Sequence, residues 1–427
     1  MKILHVVQGY PPSTGGSQWL VKNLSEQLVS RYGDKVVVLT TVAYNIEHFW
    51  RPDERAMPAG TEEINGVTVR RFAVFNRLNA LRRLVAGVAY RLHLPYNDLL
   101  RTIQTGPLIS GMIEAVANSG ADVVFATAFP LLHMYYALRG AQRAGIPIVF
   151  LGALHTADTW GYDRNMIYRA IQQADAYIAH TTYERDYLIE RGIQADKMSV
   201  VGAGVDIGAF SQADGMRIRH RYGWGEAPVI ALIAKQTARK RFDTLLRAMR
   251  QVWTTHPDAR LLLGGARTPY SRQLEEMIRA LPPSQQAHVA LVSDFSEEEK
   301  PHLLGACDIF VLPSGQESFG IAFVEAWACA KPVIGARIGA IPSVIDEGRD
   351  GLLTTYQDAD DLARAIRDLL RGPQQRIQMG RAGRIKVLEH HTWEIVTDRV
   401  RTVYTEAISR HAQGKRVDLK EGQNNLG

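Results

Sequence analysis

Short apolar runs alternate with stretches of helical periodicity along most of this chain. Several of the runs are continuous in Val, Ile and Leu, which is typical of parallel strands covered on both faces. The alternation predicts an α/β fold with doubly wound parallel sheets. The predicted strands are Ile3–Val7, Val36–Thr41, Val67–Phe72, Val123–Ala126, Ile148–Gly152, Tyr177–Ala179, Ser199–Val201, Val229–Ile233, Arg260–Gly264, Val289–Val292, Ile309–Leu312 and Val333–Ala336.

The strand–helix series breaks after Val201 and restarts at Val229, and the residues between are rich in Gly and polar side chains. The chain has 427 residues, which is more than one hydrophobic core usually serves. We therefore predict two Rossmann-like domains, 1–203 and 204–393, facing across a cleft that is the default ligand site. The polar tail 413–427 is predicted to be disordered.

The charge and residue composition restrict the kinds of molecule that this protein is expected to bind. The net charge of +6 suits an anionic ligand or an anionic membrane surface. No nucleic-acid motif accompanies it, so we predict no nucleic-acid partner. Cys307 and Cys329 lie in apolar contexts and form no metal-binding or disulfide pattern. With no signal peptide or membrane span in the sequence, a cytoplasmic location is expected.

The most informative segment is Pro313-Ser-Gly-Gln-Glu317-Ser-Phe-Gly-Ile-Ala-Phe-Val-Glu325. Glu317 lies in a loop beside a helix predicted to begin near Phe319, and Glu325 lies about two turns into that helix. Backbone N–H groups at a helix N-terminus bind phosphate, and flanking carboxylates accept hydrogen bonds from hydroxyls. A diphosphate flanked by two polyols is a nucleotide sugar. Either glutamate alone could merely complement the helix dipole, but so apolar a helix leaves Glu325 in need of a partner.

Other candidate residues follow predicted strands. Lys235 and Lys240 belong to a basic turn that suits a diphosphate, although a solvated basic loop would look the same. Gly15 and Gly16 follow the first strand and allow close approach to a ligand. His155 follows strand Ile148–Gly152 and is either a cleft residue or a structural one.

Two further segments can be explained either by a function or by an ordinary structural role. Asp358-Ala-Asp360 has the Asp-x-Asp spacing of metal-dependent sugar transferases, but helix capping explains it and no metal site is predicted. Between Arg77 and Leu94, one helical face carries a stripe of apolar side chains, and arginines lie off it. This basic helix either packs on its own sheet or contacts an anionic membrane peripherally, at the inner face of the membrane. The stripe is Leu78, Leu81, Val85, Val88 and Leu92, and the arginines are Arg77, Arg82, Arg83 and Arg91.

Together these residues resemble the retaining glycosyltransferases of family four, whose GT-B fold has two facing Rossmann-like domains. The specific matches are the Glu317-x7-Glu325 motif and the basic turn 235–240. Looser matches are Gly15-Gly16, His155, Gly204-Val-Asp206 and a C-terminal helix of about 394–412 that crosses back onto the N-terminal domain. The chain departs from the family at Lys235, where Arg is usual, and at Arg241, Ala203 and Ser343.

The resemblance implies a role for each matched position. Glu317 would bind hydroxyls of the transferred sugar, Glu325 the ribose, and His155 the sugar near the reacting carbon. Lys235 and Lys240 would neutralise the leaving diphosphate, and Gly16, beside Gly15, would approach the phosphate. The remaining donor contacts would come from Ser318, Phe319, Gly320 and Ile321.

The resemblance also implies a metal-independent, retaining transfer of a hexose, without a cofactor, from a UDP-, GDP- or ADP-sugar to a hydroxyl of a glycan, polysaccharide or lipid-linked acceptor. Two other readings remain at this point. Sugar-nucleotide epimerases share the architecture, and the substitution at Lys235 would also fit a non-catalytic protein that binds nucleotide sugars.

Overall fold

The computed structural model describes residues 1–13 and 15–424. The chain divides into two compact units. The first comprises residues 1–201 together with the chain from Val396 onward, and the second comprises Gly202–Ile395. These divisions fall close to the predicted boundaries at 203 and 393.

The sheet of the first unit has the strand order β3-β4-β2-β1-β5-β6-β7-β8. Its neighbours pair in parallel except β3, which is antiparallel to β4. Strands β5, β6 and β7 are fully buried, as their unbroken apolar runs predict. The strands are β1 Lys2–Val6, β2 Lys35–Thr41, β3 Gly60–Ile64, β4 Val67–Phe72, β5 Val123–Thr127, β6 Ile148–Leu151, β7 Ala176–Ala179 and β8 Met198–Val200.

The sheet of the second unit is parallel throughout, with the order β11-β10-β9-β12-β13-β14. Its central strands are buried on both faces within one large apolar core, against which both cysteines pack. The strands are β9 Val229–Ile233, β10 Arg260–Gly265, β11 Val289–Ser293, β12 Ile309–Leu312, β13 Val333–Ala336 and β14 Gly351–Thr354. Each unit is thus a Rossmann-like α/β layer structure, as the sequence predicts.

Helices connect the strands in both units. The α-helices are α1 Gly16–Tyr32, α2 Asn79–Arg91, α3 Asn97–Thr105, α4 Met112–Ala117, α5 His133–Ala144, α6 Thr159–Tyr162, α7 Asn165–Gln173, α8 Thr182–Ile189, α9 Ile207–Ser211, α10 Gly215–Tyr222, α11 Phe242–Val252, α12 Ser271–Arg279, α13 Pro283–Gln286, α14 Lys300–Ala306, α15 Ile321–Ala328, α16 Ala359–Arg371, α17 Pro373–His390 and α18 Trp393–Asn424. Short 3-10 turns are Ile46–Phe49, Ala195–Lys197, Ala238–Lys240 and Ile341–Ser343.

Helix α18 extends through Asn424, into the stretch that the sequence predicts to be disordered. The disorder of the tail 413–427 stays a prediction. Residues 425–427 of the predicted tail lie outside the described part of the chain.

Two buried histidines make the first unit sensitive to acid. His5 is hydrogen-bonded to Ser25 at 2.8 Å and to Tyr404 at 3.1 Å, and burial lowers its pKa to about 3. His133 lies 2.8 Å from the carbonyl oxygen of Thr127, and burial lowers its pKa to about 4. Both rings are therefore neutral in the folded state at pH values where the unfolded chain binds protons.

The free energy of unfolding should consequently fall as the pH drops from 7.5 to 5.0. Each histidine has a folded pKa below its unfolded pKa, so its contribution is complete above about pH 6.5 and is lost as the pH falls towards 4. The expected loss at pH 5 is on the order of 2 kcal/mol per histidine. Urea unfolding at both pH values measures it. His133→Gln should reduce the pH dependence, whereas the exposed His93→Gln should not; equal slopes in parent and His133→Gln would contradict the assignment.

Helices α2 and α3 form a hairpin, residues 78–105, on the surface of the first unit. The predicted apolar stripe lies on this hairpin and is solvent-exposed, with Leu78 63% and Leu92 62% exposed. The interpretation that the stripe packs on its own sheet is therefore wrong, and membrane contact stays a prediction. Within the described residues, every helix is too short or too polar to span a bilayer.

Arg101 of α3 fastens the hairpin to the body of the unit. Its guanidinium donates to the carbonyl oxygens of Trp160 at 2.8 Å and Asp163 at 3.4 Å, and pairs with Asp98 at 2.6 Å. The same group lies over the rings of Tyr90 on α2 and Trp160, at 4.7 and 5.6 Å from their centroids. We call this arrangement the Arg101 clamp.

Candidate functional site

The strand order of the second unit identifies where a ligand would bind. From β9 the chain runs through β10 to β11 on one side, and from β12 through β13 to β14 on the other. Because β9 and β12 are parallel neighbours, the loops at their carboxyl ends meet at the point where the strand order reverses. Such switch points are the ligand crevices of open parallel sheets. The predicted lysines follow β9, and the predicted glutamates follow β12.

Lys240 and Glu317 meet at this switch point. Lys240 Nζ lies 2.5 Å from Glu317 Oε1, and each side chain is only 11% exposed. Burial alone would raise the pKa of Glu317, but the charge and hydrogen bond of Lys240 outweigh it and hold that pKa below its usual value. At neutral pH Glu317 is therefore a carboxylate, and it lies beside the Lys240 side chain in a largely shielded setting.

Backbone contacts fix the two loops to each other. The carbonyl oxygen of Arg239 accepts hydrogen bonds from Gly315 N at 3.1 Å and from Ser314 Oγ at 3.2 Å. The lysine loop is also anchored to its own sheet, since the buried Gln236 amide donates to Gly265 O at 3.1 Å and Ser293 Oγ at 2.9 Å. The Lys240–Glu317 pair is thus supported by the fold and is not a chance surface contact.

The loop of Glu317 turns sharply into α15 at Gly320. Its φ of +91° lies in the left-handed region, and an added Cβ would come within 2.6 Å of the Phe323 ring. Only glycine fits both constraints. The helix therefore begins at Ile321, two residues later than predicted, and its first N–H groups point out of the turn beside Ser318 and Phe319.

Glu325 is buried in α15 and has the partner that its apolar surroundings demand. Lys300 Nζ, at the start of α14, lies 2.7 Å from Glu325 Oε1 and 3.3 Å from Glu297 Oε2. Burial raises the pKa of Glu325, and Lys300 offsets only part of that rise. The two carboxylates in turn outweigh burial and raise the pKa of Lys300. Lys300 is a site residue that the sequence analysis missed.

Lys235 differs from Lys240. Its side chain is exposed. Within the described part of the chain it makes no salt bridge, so its positive charge is not neutralised by a neighbouring carboxylate. It follows β9 in the same loop as Lys240 and therefore adds an accessible cation to this edge of the sheet.

The other predicted residues lie in the first unit, at the carboxyl edge of its sheet. Gly15 and Gly16 follow β1, and Gly16 is the first residue of α1. His155 follows β6, and β1, β5 and β6 are parallel, so both loops leave the same edge. An added Cβ on Gly16 would meet no atom within 4 Å, which means that packing within the described chain does not require glycine there.

The His155 loop is held by a buried carboxylate that the sequence analysis did not single out. Glu184, 2% exposed, accepts hydrogen bonds from the backbone N–H groups of Leu154 at 3.0 Å and His180 at 2.8 Å, and from the Tyr177 hydroxyl at 2.7 Å. The His155 ring meets Tyr162 edge-on at 5.3 Å between centroids. Glu184 therefore fixes the backbone that carries His155.

The Asp-x-Asp segment has the capping role predicted for it. The Asp358 carboxylate accepts hydrogen bonds from Asp360 N and Asp361 N, both at 2.9 Å, at the start of α16. In the parts of the chain that the structure describes, no three His, Cys, Asp or Glu side chains are grouped as a metal site would require.

Comparison with known sequences decides the family. The model of the glycosyl transferases group 1 family matches residues 217–386, and that of glycosyltransferase family 4 matches residues 14–208. The D-inositol 3-phosphate glycosyltransferase of Streptomyces avermitilis is 30% identical over 418 residues, which cover 82% of this chain and 85% of that protein. The chain belongs to glycosyltransferase family 4.

One further relative and two solved structures extend the comparison. A GDP-mannose-dependent alpha-(1-6)-phosphatidylinositol monomannoside mannosyltransferase of Mycolicibacterium smegmatis is 28% identical over 277 residues, covering 58% of this chain and 72% of that protein. Sucrose-phosphate synthase from Thermosynechococcus elongatus has a TM-score of 0.71 at 19% identity, covering 96% of this chain and 100% of that one. Anabaena HepE in complex with UDP and glucose has a TM-score of 0.70 at 19% identity, covering 95% and 99%. These likenesses show the GT-B fold.

Proposed function

We propose that this family 4 glycosyltransferase moves a hexose from a nucleoside-diphosphate sugar to an acceptor hydroxyl, with retention at the anomeric carbon and without a metal ion. The observation that carries the proposal is the largely shielded Lys240–Glu317 pair at the switch point of the second unit, with Lys235 exposed on the same loop. It provides cations for a diphosphate and a carboxylate for sugar hydroxyls within one hydrogen-bonded loop cluster.

The reaction makes a bond between the acceptor oxygen and the anomeric carbon and breaks the bond from that carbon to the diphosphate. Negative charge develops on the diphosphate as it leaves. Lys235, Lys240 and the N–H groups at the start of α15 stabilise that charge, which is the task a metal ion performs in other transferases. The acceptor proton passes to an oxygen of the leaving phosphate, so no separate general base is needed.

Glu317 and Lys240 keep enough hydrogen-bonding capacity to bind substrate while paired. An ammonium group has three donors and an ionised carboxylate has about four acceptor positions. Lys240 can therefore contact a phosphate oxygen while Glu317 accepts from sugar hydroxyls. Glu325 is suited to the ribose hydroxyls, and Lys300 Nζ lies 2.7 Å from its carboxylate.

Donor identity is testable by ligand-induced stabilisation, because a ligand that binds only the folded state raises the melting temperature. The screen uses UDP, GDP, ADP and their glucose and mannose derivatives, followed by incubation of each stabilising sugar nucleotide with inositol phosphate and phosphatidylinositol acceptors. NMR of the anomeric proton reads stereochemistry, and parallel reactions with EDTA read metal dependence. Product with an inverted anomeric centre, or complete loss of transfer in EDTA, would reject the corresponding part of the proposal. Epimer formation or binding without transfer would reject it as a whole.

Gly16→Ala should weaken donor use without weakening the fold. The new methyl group meets no protein atom, so the melting temperature should change little, whereas it would occupy space that a phosphate group approaching the N-terminus of α1 needs. We expect the KM for the donor to rise about ten-fold, which corresponds to about 1.4 kcal/mol.

Gly87→Ala is the matched control. Gly87 also has no atom within 4 Å of an added Cβ, but it lies within α2 and not at the N-terminus of a helix that follows a strand. Its donor KM should equal that of the parent. An unchanged KM in Gly16→Ala would remove Gly16 from the donor site.

A further inference from the structure

The hairpin of α2 and α3 carries an apolar surface without a cover in the described chain. Large apolar side chains lie along its outer face, and Leu84 and Tyr96 are 64% and 79% exposed. Monomeric soluble proteins rarely display so many large apolar residues together unless the patch binds something. The patch comprises Leu78, Leu81, Leu84, Val85, Val88, Leu92, Leu94, Tyr96 and Leu99, and we call it the hairpin face.

Helix α2 turns its large apolar side chains to solvent, which is the reverse of an ordinary surface helix. Its buried residues are Ala86 and Ala89, whereas its leucines and valines point to solvent. A surface helix normally turns its large apolar side chains to the core and its small or polar ones outward. Here the small side chains allow close packing on the body of the unit, and the large ones remain available to an apolar phase. The arrangement fits a helix that lies in an interface.

The charges around the hairpin face have one sign. Residues 64–97 contain no Asp or Glu, and Arg77, Arg83 and Arg91 are exposed. The next carboxylate, Asp98, is paired with Arg101 at 2.6 Å. An apolar face bordered by unneutralised arginines complements a surface that combines hydrocarbon with negative charge. A second copy of this chain is a poor match, since a symmetric dimer would bring arginines of both copies together.

We propose that the hairpin face docks this glycosyltransferase onto anionic lipid bilayers. The apolar side chains enter the boundary between headgroups and acyl chains, and Arg77, Arg83 and Arg91 contact lipid phosphates. The helices lie along the surface and do not cross it. The proposal does not depend on which sugar is transferred, because binding is measured without donor or acceptor.

Vesicle flotation of the full chain tests the proposal. The protein is mixed with vesicles of phosphatidylcholine alone, or with vesicles in which about one lipid in three is the anionic phosphatidylglycerol. The parent should bind the anionic vesicles, and bind the neutral ones about ten-fold less. Leu84→Glu with Val88→Glu should reduce binding to anionic vesicles about ten-fold or more, as should Arg83→Glu with Arg91→Glu.

Ile385→Glu with Leu388→Glu is the matched control, since these side chains of α17 are similarly exposed in the second unit. Its binding should equal that of the parent, and circular dichroism melts verify that each variant is folded. Equal flotation of parent and Leu84→Glu/Val88→Glu would overturn the proposal. A parent that fails to bind anionic vesicles but forms a dimer, abolished by the same two substitutions in light scattering, would also overturn it and assign the face to a second copy.

Discussion

Glu317→Gln is expected to reduce turnover roughly 10²–10³-fold, the loss typical for removal of one preorganised polar group from a transition state. Glutamine keeps the size of the side chain but loses the negative charge that accepts from sugar hydroxyls and pairs with Lys240 at 2.5 Å. The fold should persist, since the loops stay joined through Arg239, Ser314 and Gly315. Steady-state kinetics with saturating donor measure the effect, beside a thermal melt.

Glu347→Gln is the control for this change. Glu347 is in the same unit and is also paired with a basic side chain, that of Arg337, at 2.5 Å, but both of these side chains are about half exposed. Exposed ion pairs contribute little, so its turnover should match the parent. Turnover of Glu317→Gln within about three-fold of the parent would contradict a role in the transition state.

Lys240→Met should have an effect of similar size through the leaving group. Without the ammonium group, one donor to the departing diphosphate is missing, and we expect turnover to fall roughly 10²–10³-fold. The substitution should also change the pH profile. Lys240 holds the pKa of Glu317 below its usual value, and burial pulls the other way, so that pKa should rise when Lys240 is removed.

The variant should therefore lose activity on acidification at a higher pH than the parent does, because Glu317 becomes protonated earlier. Measurement of kcat/KM from pH 5 to pH 8 checks both effects. Arg349→Met removes a positive charge from an exposed position of the same unit and should leave rate and profile unchanged. If Lys240→Met showed the parental pH profile, the coupling between the two side chains would be absent from catalysis.

The strands that were predicted correctly are those whose sequence pattern directly reflects their burial in the sheet. Twelve predicted strands correspond to strands of the described chain, because continuous apolar runs are characteristic of buried parallel strands. Strands β3 and β14 were not predicted. Strand β3, Gly60–Ile64, has almost no buried residue and pairs only at the sheet edge, and Gly351–Thr354 is short and begins with glycine. Neither offers an apolar run of the required length.

Features that depend on tertiary packing could not be predicted from the sequence. The need of Glu325 for a partner was predictable, but Lys300 lies 25 positions earlier in an acidic run that looks like a solvated segment. Only the packing of α14 on α15 brings the two together. Similarly, the apolar stripe of α2 is readable from the sequence, whereas its exposure follows from Ala86 and Ala89 occupying the inner side.

The Arg101 clamp gives the outer hairpin a mechanical link to the segment that carries His155. The clamp grips Trp160, two residues before the Tyr162 ring that touches His155. Lifting the hairpin would strip a buried guanidinium of its carbonyl partners and its aromatic neighbours at once, which is costly. A displacement of the outer helices would therefore disturb the backbone that leads to His155, so the position of the hairpin and the geometry around that histidine are coupled.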